Sequence, residues 1–372
     1  MRIVIDISRL HPAALKRGVG FYALNLFTAL KDLHDDNEYL FKKQKAGQIW
    51  SDIVHFPYFD PFFLTLPIVK KTKIIVTVHD LTLLKFPDYY PSGIRGKIKW
   101  QIQKRLLKKA DAIITDSRNS KEDINAIIGY PKDKIFVVNL AAGKEFTKLA
   151  IGNPPAGRTG WQLTIKEKYQ LPDIFLLYVG DVNWNKNIKG LIKAFYQIKT
   201  QMVQPKAGRP RVENIKTTIQ KLKLILIGSA FKNDNLFELH KIKKLIKELN
   251  IEREVKLLGF VPIEDLVAIY NLATLYIQPS FYEGFGLPVL EAMSCGCPVL
   301  SSNQASLSEI GGQSVEYFNP FNQKDFATKL INLLNNKNKL ASLSSLGLIQ
   351  AKKFSWERTA LETKKVYKII VR

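Results

Sequence analysis

Pro279-Ser280-Phe281-Tyr282-Glu283-Gly284-Phe285-Gly286-Leu287-Pro288-Val289-Leu290-Glu291-Ala292-Met293-Ser294-Cys295-Gly296-Cys297-Pro298-Val299 follows a short apolar run of strand type, Leu275-Tyr276-Ile277. Behind the glycines a helical pattern begins, with Val289, Leu290 and Met293 on one face. The stretch therefore reads as strand, glycine loop and helix. Gly284 and Gly286 free the loop to take φ > 0 and to bring backbone N–H groups close to a ligand. A helix starting just behind such a loop aims unpaired N–H groups and a positive dipole end at whatever sits there. Glu291 falls about one turn into that helix, where a carboxylate can accept hydrogen bonds from sugar hydroxyls, and Glu283 sits at the loop's lip. Two carboxylates around an anion-friendly backbone cradle suit a molecule that is part sugar and part phosphate.

The same strand–loop–helix unit recurs outward from this stretch. Residues 2–7 read as a strand, a loop carries His11, Gly18 and Gly20, and Tyr22, Ala23, Leu26, Phe27, Leu30 and Leu33 keep a helical period. Two glycines make a weak phosphate motif, and a plain structural turn explains them equally well. Ile53–Phe56 and Ile74–Val78 are strand-like, and the second ends in His79-Asp80, a polar pair where open α/β sheets bind ligands. Ala112–Thr115 and Ile135–Val138 are further strands. After 150–172, with Pro154, Pro155, Gly157 and Gly160, a second series starts at Ile174–Val179 and runs into Gly180-Asp181-Val182-Asn183-Trp184-Asn185-Lys186-Asn187. Lys186 stands near the start of the next helix, where an ammonium group adds to the dipole and can meet phosphate. Residues 201–220 read as an exposed insertion, and Leu224–Ser229 and Val255–Val261 as strands with their turns. Strands that alternate with helices or crossover loops argue two parallel-sheet α/β domains.

At 372 residues the chain has room for two domains, and no apolar run approaches the length of a bilayer span. The opening Met1–Asp6 is a strand without a secretory core, which points to the cytoplasm. Cys295 and Cys297 are too close for an ordinary disulfide and too few for a zinc site, so they read as small residues in a helix-to-strand turn. The net charge of +23 asks for nucleic acid, anionic lipid or a negatively charged substrate. The lysines are scattered and no nucleic-acid-binding signature accompanies them, so no specific nucleic-acid partner is expected. A basic helix over 94–109 aligns Ile94, Ile98, Ile102 and Leu106 among lysines and arginines. Core packing with a solvated basic face is the simpler reading, and lying on an acidic membrane is the other.

Glu283, Phe285, Gly286 and Glu291 complete the pattern Glu-x-Phe-Gly-x-x-x-x-Glu, in the wording EGFGLPVLEAMSCGCPV. With GVGFYALNL, VTVHDLTLLKFPDYY, ADAIITDSRNSKEDI, YVGDVNWNKNIKGLIKAF and FSWERTALE in order, nearly the whole chain resembles the retaining GT-B glycosyltransferases of family four. The resemblance implies two Rossmann-like domains facing across a cleft. Residues 1–150 would form the N-terminal, acceptor-side domain, 151–172 a linker, and 173–354 the nucleotide-sugar domain. Residues 355–372 would be a helix packing back on the first domain. It also implies Glu291 on the ribose hydroxyls, Glu283 on the transferred sugar, and the Gly284, Phe285, Gly286 and Leu287 backbone near sugar and phosphate. Lys186 and the Gly18–Gly20 loop would meet the diphosphate, His79 the transferred sugar, and the backbone around Val261 the base.

Asp181 stands where many members carry arginine, Asn185 occupies another place often held by arginine, and the region between Leu40 and Ile53 is short. The expected reaction is transfer of a sugar to a hydroxyl with retention, by same-face dissociative substitution and without a divalent metal or cofactor, the nucleotide-sugar being a substrate. The HDLTLLKFPDYY wording resembles members that use GDP-mannose. The expected acceptor is a lipid-linked or growing surface glycan, on a protein peripheral to an anionic membrane surface. Two alternatives stand beside this: a nucleotide-sugar epimerase or hydrolase of the same fold, and a non-catalytic basic polyanion binder.

Overall fold

Continuous apolar runs such as Phe175-Leu176-Leu177-Tyr178-Val179 have no polar face to give to water, so they become strands covered on both sides. The structure, a computed structural model, describes residues 1–8, 18–42, 50–149, 160–201 and 219–371. His11, residues 150–159 of the expected boundary and most of the expected insertion over 201–220 lie outside them. The chain divides into two units, Met1–Ala141 with Phe354–Arg372, and Ala142–Lys353.

In the first unit β1 (Arg2–Asp6), β2 (Glu38–Lys42), β3 (Ile53–Phe56), β4 (Lys73–Thr77), β5 (Ala112–Thr115) and β6 (Ile135–Val137) form one sheet in the order β2-β1-β3-β4-β5-β6. Every pairing is parallel, and the β1–β3 register sets Ile3 against Ile53 and Ile5 against His55. Helices α1 (Val19–Lys31), α2 (Thr82–Lys85), α3 (Gly93–Leu107) and α4 (Arg118–Asp123) connect the strands. Val4, Val54, Val76 and Ile113, from four neighbouring strands, share a core with Leu107 and Ile128. In α3 the aligned isoleucines do not pack inward: Ile94, Ile98 and Ile102 are exposed, and the helix buries Gly96, Gln103 and Leu107 instead. Gln103 decides this, because its amide donates to Asp60 O at 3.0 Å and Thr65 Oγ1 at 2.7 Å and so holds that side against the 60–66 loop.

The C-terminal helix, Trp356–Val371, completes this unit, with Ser355 Oγ accepting the Arg358 N–H at 3.1 Å as its cap. Tyr367 Oη lies 2.7 Å from His55 Nδ1, His55 Nε2 lies 2.7 Å from Thr77 Oγ1, and Thr77 Oγ1 lies 2.9 Å from Tyr22 Oη. This buried relay joins the helix to β3, β4 and α1. Burial, with the nearby His79 charge, pushes His55 down to about 3, so the imidazole stays neutral. Tyr367→Phe leaves a buried ring nitrogen without its partner. Unfolding in urea should show a loss of ~1–3 kcal/mol, and an unchanged midpoint would mean the relay contributes nothing.

The second unit carries α5 (Trp161–Tyr169), β7 (Phe175–Val179), α6 (Ile188–Gln201), β8 (Lys223–Ile227), α7 (Phe237–Glu248), β9 (Val255–Leu258) and α8 (Ile263–Leu272). It continues with β10 (Leu275–Gln278), α9 (Leu287–Ser294), β11 (Val299–Ser302), α10 (Leu307–Gly311), β12 (Glu316–Phe318), α11 (Gln323–Leu334) and α12 (Lys337–Ala351). The sheet order is β12-β11-β10-β7-β8-β9, all parallel, so the order reverses between β7 and β10. Open sheets of this kind bind ligands in the crevice at the carboxyl ends of the strands beside such a reversal. The stretch 151–172 is not linker throughout: the glycines end at Gly160, Trp161–Tyr169 is helical, and Ile165 is buried.

Candidate active site

The loops leaving β7 and β10 stand side by side, because those strands are direct neighbours. Gly228, at the end of β8, lets the β7 loop pass closely; a Cβ there would fall 2.0 Å from the Gly180 carbonyl oxygen. The β7 loop then makes a tight turn over Trp184–Lys186 and reaches Asn187, in the left-handed region at φ 51°. Asn185 Nδ2 donates to Tyr282 O at 3.0 Å, Phe281 N–H donates to Asn185 O at 2.7 Å, and Asn187 Nδ2 donates to Pro279 O at 3.0 Å. The residues on either side of Lys186 thus clamp one loop to the other. Asn185, in the position expected for an arginine, is a buried structural amide here.

Lys186 and Glu283 meet across that clamp. The ammonium nitrogen is 2.8 Å from each Glu283 carboxylate oxygen. Gln278 Nε2 at 2.9 Å and Ser280 Oγ at 2.7 Å also donate to Oε1, and Glu283 is only 8% exposed. A buried carboxylate with this many donors is held in one place. The two side chains expected on different parts of a ligand are therefore ion-paired with each other. Ser306 Oγ, 2.8 Å from Glu283 O and 2.7 Å from Phe285 O, fixes the loop from below.

Gly284 and Phe285 are buried, and Gly286, at φ 109°, is the N-cap of α9, where a side chain would strain the backbone and press on Leu307. Leu287 is the first residue of that helix. Glu291 lies one turn further, and Tyr270 Oη donates to its Oε2 at 3.0 Å. Burial, then the Glu291 charge, hold the Tyr270 phenol well above its ordinary value, so it remains a donor. Val261 is buried in the turn before α8, the helix that carries Tyr270. Asp181 is exposed, and its carboxylate accepts the Val182 N–H at 2.8 Å.

In the first unit Gly18, at φ 57°, caps α1, and Gly20 is buried in its first turn. His79 follows β4. Its Nδ1 lies 2.7 Å from Asp116 Oδ2, its Nε2 3.2 Å from Pro57 O, and the Tyr22 ring meets it edge-on at 4.7 Å. Burial alone would disfavour the imidazolium. Asp116, through its charge and its hydrogen bond, together with Asp80 and the Pro57 carbonyl, outweighs burial and raises the His79 pKa.

Two family models cover these loops. Residues 162–347 match the model described as glycosyl transferases group 1, and residues 17–141 match glycosyltransferase family 4. The chain is 32% identical over 332 residues to O-antigen chain mannosyltransferase B of Escherichia coli, covering 87% of this chain and 77% of that protein. This chain belongs to the group 1 glycosyl transferases. A second relative of the glycosyltransferase, the serotype-specific mannosyltransferase WbdA of Escherichia coli, is 30% identical over 77% of this chain, which spans 32% of that longer protein. Sucrose-phosphate synthase from Thermosynechococcus elongatus shares the fold, at a TM-score of 0.71 with 18% identity over 99% of this chain and 98% of that one. The two six-stranded parallel sheets are thus those of a GT-B glycosyltransferase.

The motif reading gives no role to Asp116, which orients His79 in the first unit, or to Gln278, Ser280 and Ser306, which hold Glu283 and its loop in the second. Asp116 and Gln278 did carry a signal, since each is a polar residue at the carboxyl end of a buried apolar strand, in Ala112–Asp116 and Leu275–Gln278. Ser306 had none, because its partners lie more than twenty residues away in sequence.

Proposed function

We propose that the enzyme moves mannose from GDP-mannose to a hydroxyl of a surface glycan or its lipid-linked precursor, with retention and without a divalent metal or cofactor. The observation that carries the donor assignment is the Lys186–Glu283 pair beside the N-terminus of α9, at the strand-order reversal. As the glycosidic bond breaks, charge builds on the departing diphosphate. Lys186 and the first N–H groups of α9 supply fixed positive charge for it. Glu283 and Glu291 offer carboxylate oxygens to hydroxyls, Glu283 on the transferred sugar and Glu291 on the ribose. The backbone of Gly284–Leu287 lies along sugar and phosphate, and Val261 borders the base.

His79, oriented by Asp116, is assigned to the transferred sugar, and the Gly18–Gly20 turn to the diphosphate. Glu283 already accepts from Lys186, Gln278 and Ser280, which suits a hydroxyl-binding group better than an attacking nucleophile and supports same-face substitution. Mannose as the sugar rests on the two Escherichia coli relatives, both mannosyltransferases. A cytoplasmic setting at the inner face of the membrane suits a chain of net charge +23.

A thermal-shift screen of nucleotide-sugars tests the donor. GDP-mannose should raise the melting temperature most, and an equal or larger shift with a UDP-sugar would overturn that choice. Turnover with the preferred donor should survive EDTA and give a retained anomeric configuration by NMR, whereas free mannose as the sole product would point to hydrolysis.

A further inference from the structure

Tyr276, Gln278 and Ser280 alternate along β10 and out of its carboxyl end, so their side chains fall on one side of the strand. Leu275 and Ile277, on the other side, enter the apolar core with Leu176 and Leu300 of the neighbouring strands. The polar row is enclosed: Tyr276 and Ser280 are 0% and Gln278 1% exposed. Polar groups buried this deeply must satisfy one another, and here each proton has a destination. Tyr276 Oη donates to Gln278 Oε1, and its approach to Val179 O, at 3.5 Å, is the weaker one. The two Gln278 amide protons go to Ser280 Oγ at 2.8 Å and Glu283 Oε1 at 2.9 Å. The Ser280 hydroxyl donates to Glu283 Oε1 at 2.7 Å. Burial above all holds the Tyr276 phenol well above its ordinary value, so it stays a donor.

The row makes the two oxygens of Glu283 unequal. Oε1 receives Lys186, Gln278 and Ser280 and has no capacity left. Oε2 has Lys186 Nζ, at 2.8 Å, as its donor among the described residues. That leaves Oε2 room for a single further donor. The Gln278 amide fixes this asymmetry. With its oxygen turned to Tyr276, its nitrogen faces Glu283; turned over, it would set an amide oxygen against Oε1.

We propose, resting on the placement of Glu283 against the transferred sugar, that Tyr276 and Gln278 are positioning residues for donor selection. They hold Glu283 so that Oε2 alone reads the sugar, through one hydroxyl. Both are buried and act through Glu283, Tyr276 by way of Gln278. A site built to bond one hydroxyl rejects a sugar that lacks it, since the buried oxygen is then left unpaired. An epimer whose hydroxyl points the other way at that carbon leaves Oε2 equally unpaired, so the row selects between epimers too.

The test measures kcat/KM with GDP-mannose and with its 2-, 3-, 4- and 6-deoxy analogues, for the wild type, Tyr276→Phe, Gln278→Leu and the double variant. With GDP-mannose, Tyr276→Phe should lose about tenfold and Gln278→Leu about 30-fold. With one analogue, and only one, both losses should shrink to within about twofold, because the hydroxyl that Oε2 reads is already gone. The double variant should be no slower than Gln278→Leu alone. GDP itself, which lacks the sugar, should bind all of them equally tightly. Ser280→Ala, a milder change that removes one donor to Oε1, should show the same single-analogue pattern. Equal losses on every analogue, losses that multiply in the double variant, or a fall in GDP affinity matching the fall in turnover would overturn the proposal and leave the donor assignment standing. A larger thermal shift with another nucleotide-sugar would instead overturn the choice of mannose, and deoxy analogues of that sugar then serve in the same test.

Discussion

Lys186→Ala is expected to lower kcat/KM by about 10²–10³-fold, because it removes the one side-chain cation assigned to the departing diphosphate. The same change leaves Glu283 buried with only Gln278 and Ser280 as the side-chain donors described around it. A stability loss of ~1–3 kcal/mol should accompany the activity loss. The two effects separate in a second variant. Lys186→Met/Glu283→Gln replaces the ion pair by neutral groups of similar size, and the Gln278 and Ser280 hydrogen bonds can still be made to an amide oxygen. Its unfolding midpoint should recover most of the lost stability while turnover stays low. Recovery of turnover together with stability would show that Lys186 serves only as a partner for Glu283, and the donor assignment would fall.

Asp116→Asn should lower turnover by about 10²-fold through misplacement of His79 and should also alter how stability depends on pH. The Pro57 carbonyl oxygen can only accept, so His79 Nε2 carries a proton. With Asp116 ionised, Nδ1 must carry one too, or two acceptors would face each other at 2.7 Å. Burial raises the Asp116 pKa as well, so the folded pair holds its proton more tightly than the separate groups do in the unfolded chain. A histidine whose folded pKa is raised contributes stability that is fully present below about pH 6.5, its unfolded value. That contribution is lost as pH rises through the higher folded value. Urea midpoints of the wild type should fall over that interval. In Asp116→Asn an amide can face a neutral imidazole, and the fall should disappear. An identical pH slope in both proteins would show that the pair does not hold the proton.

Glu283 through Glu291 was readable because its chemistry is local: glycines, a helix start and two carboxylates within nine residues. The strands were readable where both faces are buried, as in β7 and β8. Strand β2 was not, because Glu38-Tyr39-Leu40-Phe41-Lys42 is an edge strand with mixed burial and no continuous apolar run. Helices α11 and α12 had signals that went unused, since Asn322 Oδ1 accepts the Asp325 N–H and Asn336 Oδ1 the Lys339 N–H, both ordinary caps. The isoleucines of α3 show a deeper limit. Periodicity places Ile94, Ile98 and Ile102 on one face but does not say which way that face turns, and Gln103, a polar residue, settled it. The Lys186–Glu283 bond was equally out of reach, since ninety-seven residues separate its partners.

The C-terminal helix has a consequence for the order in which the chain is made. The first unit leaves off at Ala141 and resumes at Phe354, whereas the second is continuous. A ribosome therefore releases every residue of the second unit before Tyr367 exists to meet His55, and the earlier part of the first unit must wait without that partner for the imidazole Nδ1. Chaperone demand during synthesis should concentrate on residues 1–141. A premature stop within the last two turns would injure the unit farthest from it in sequence.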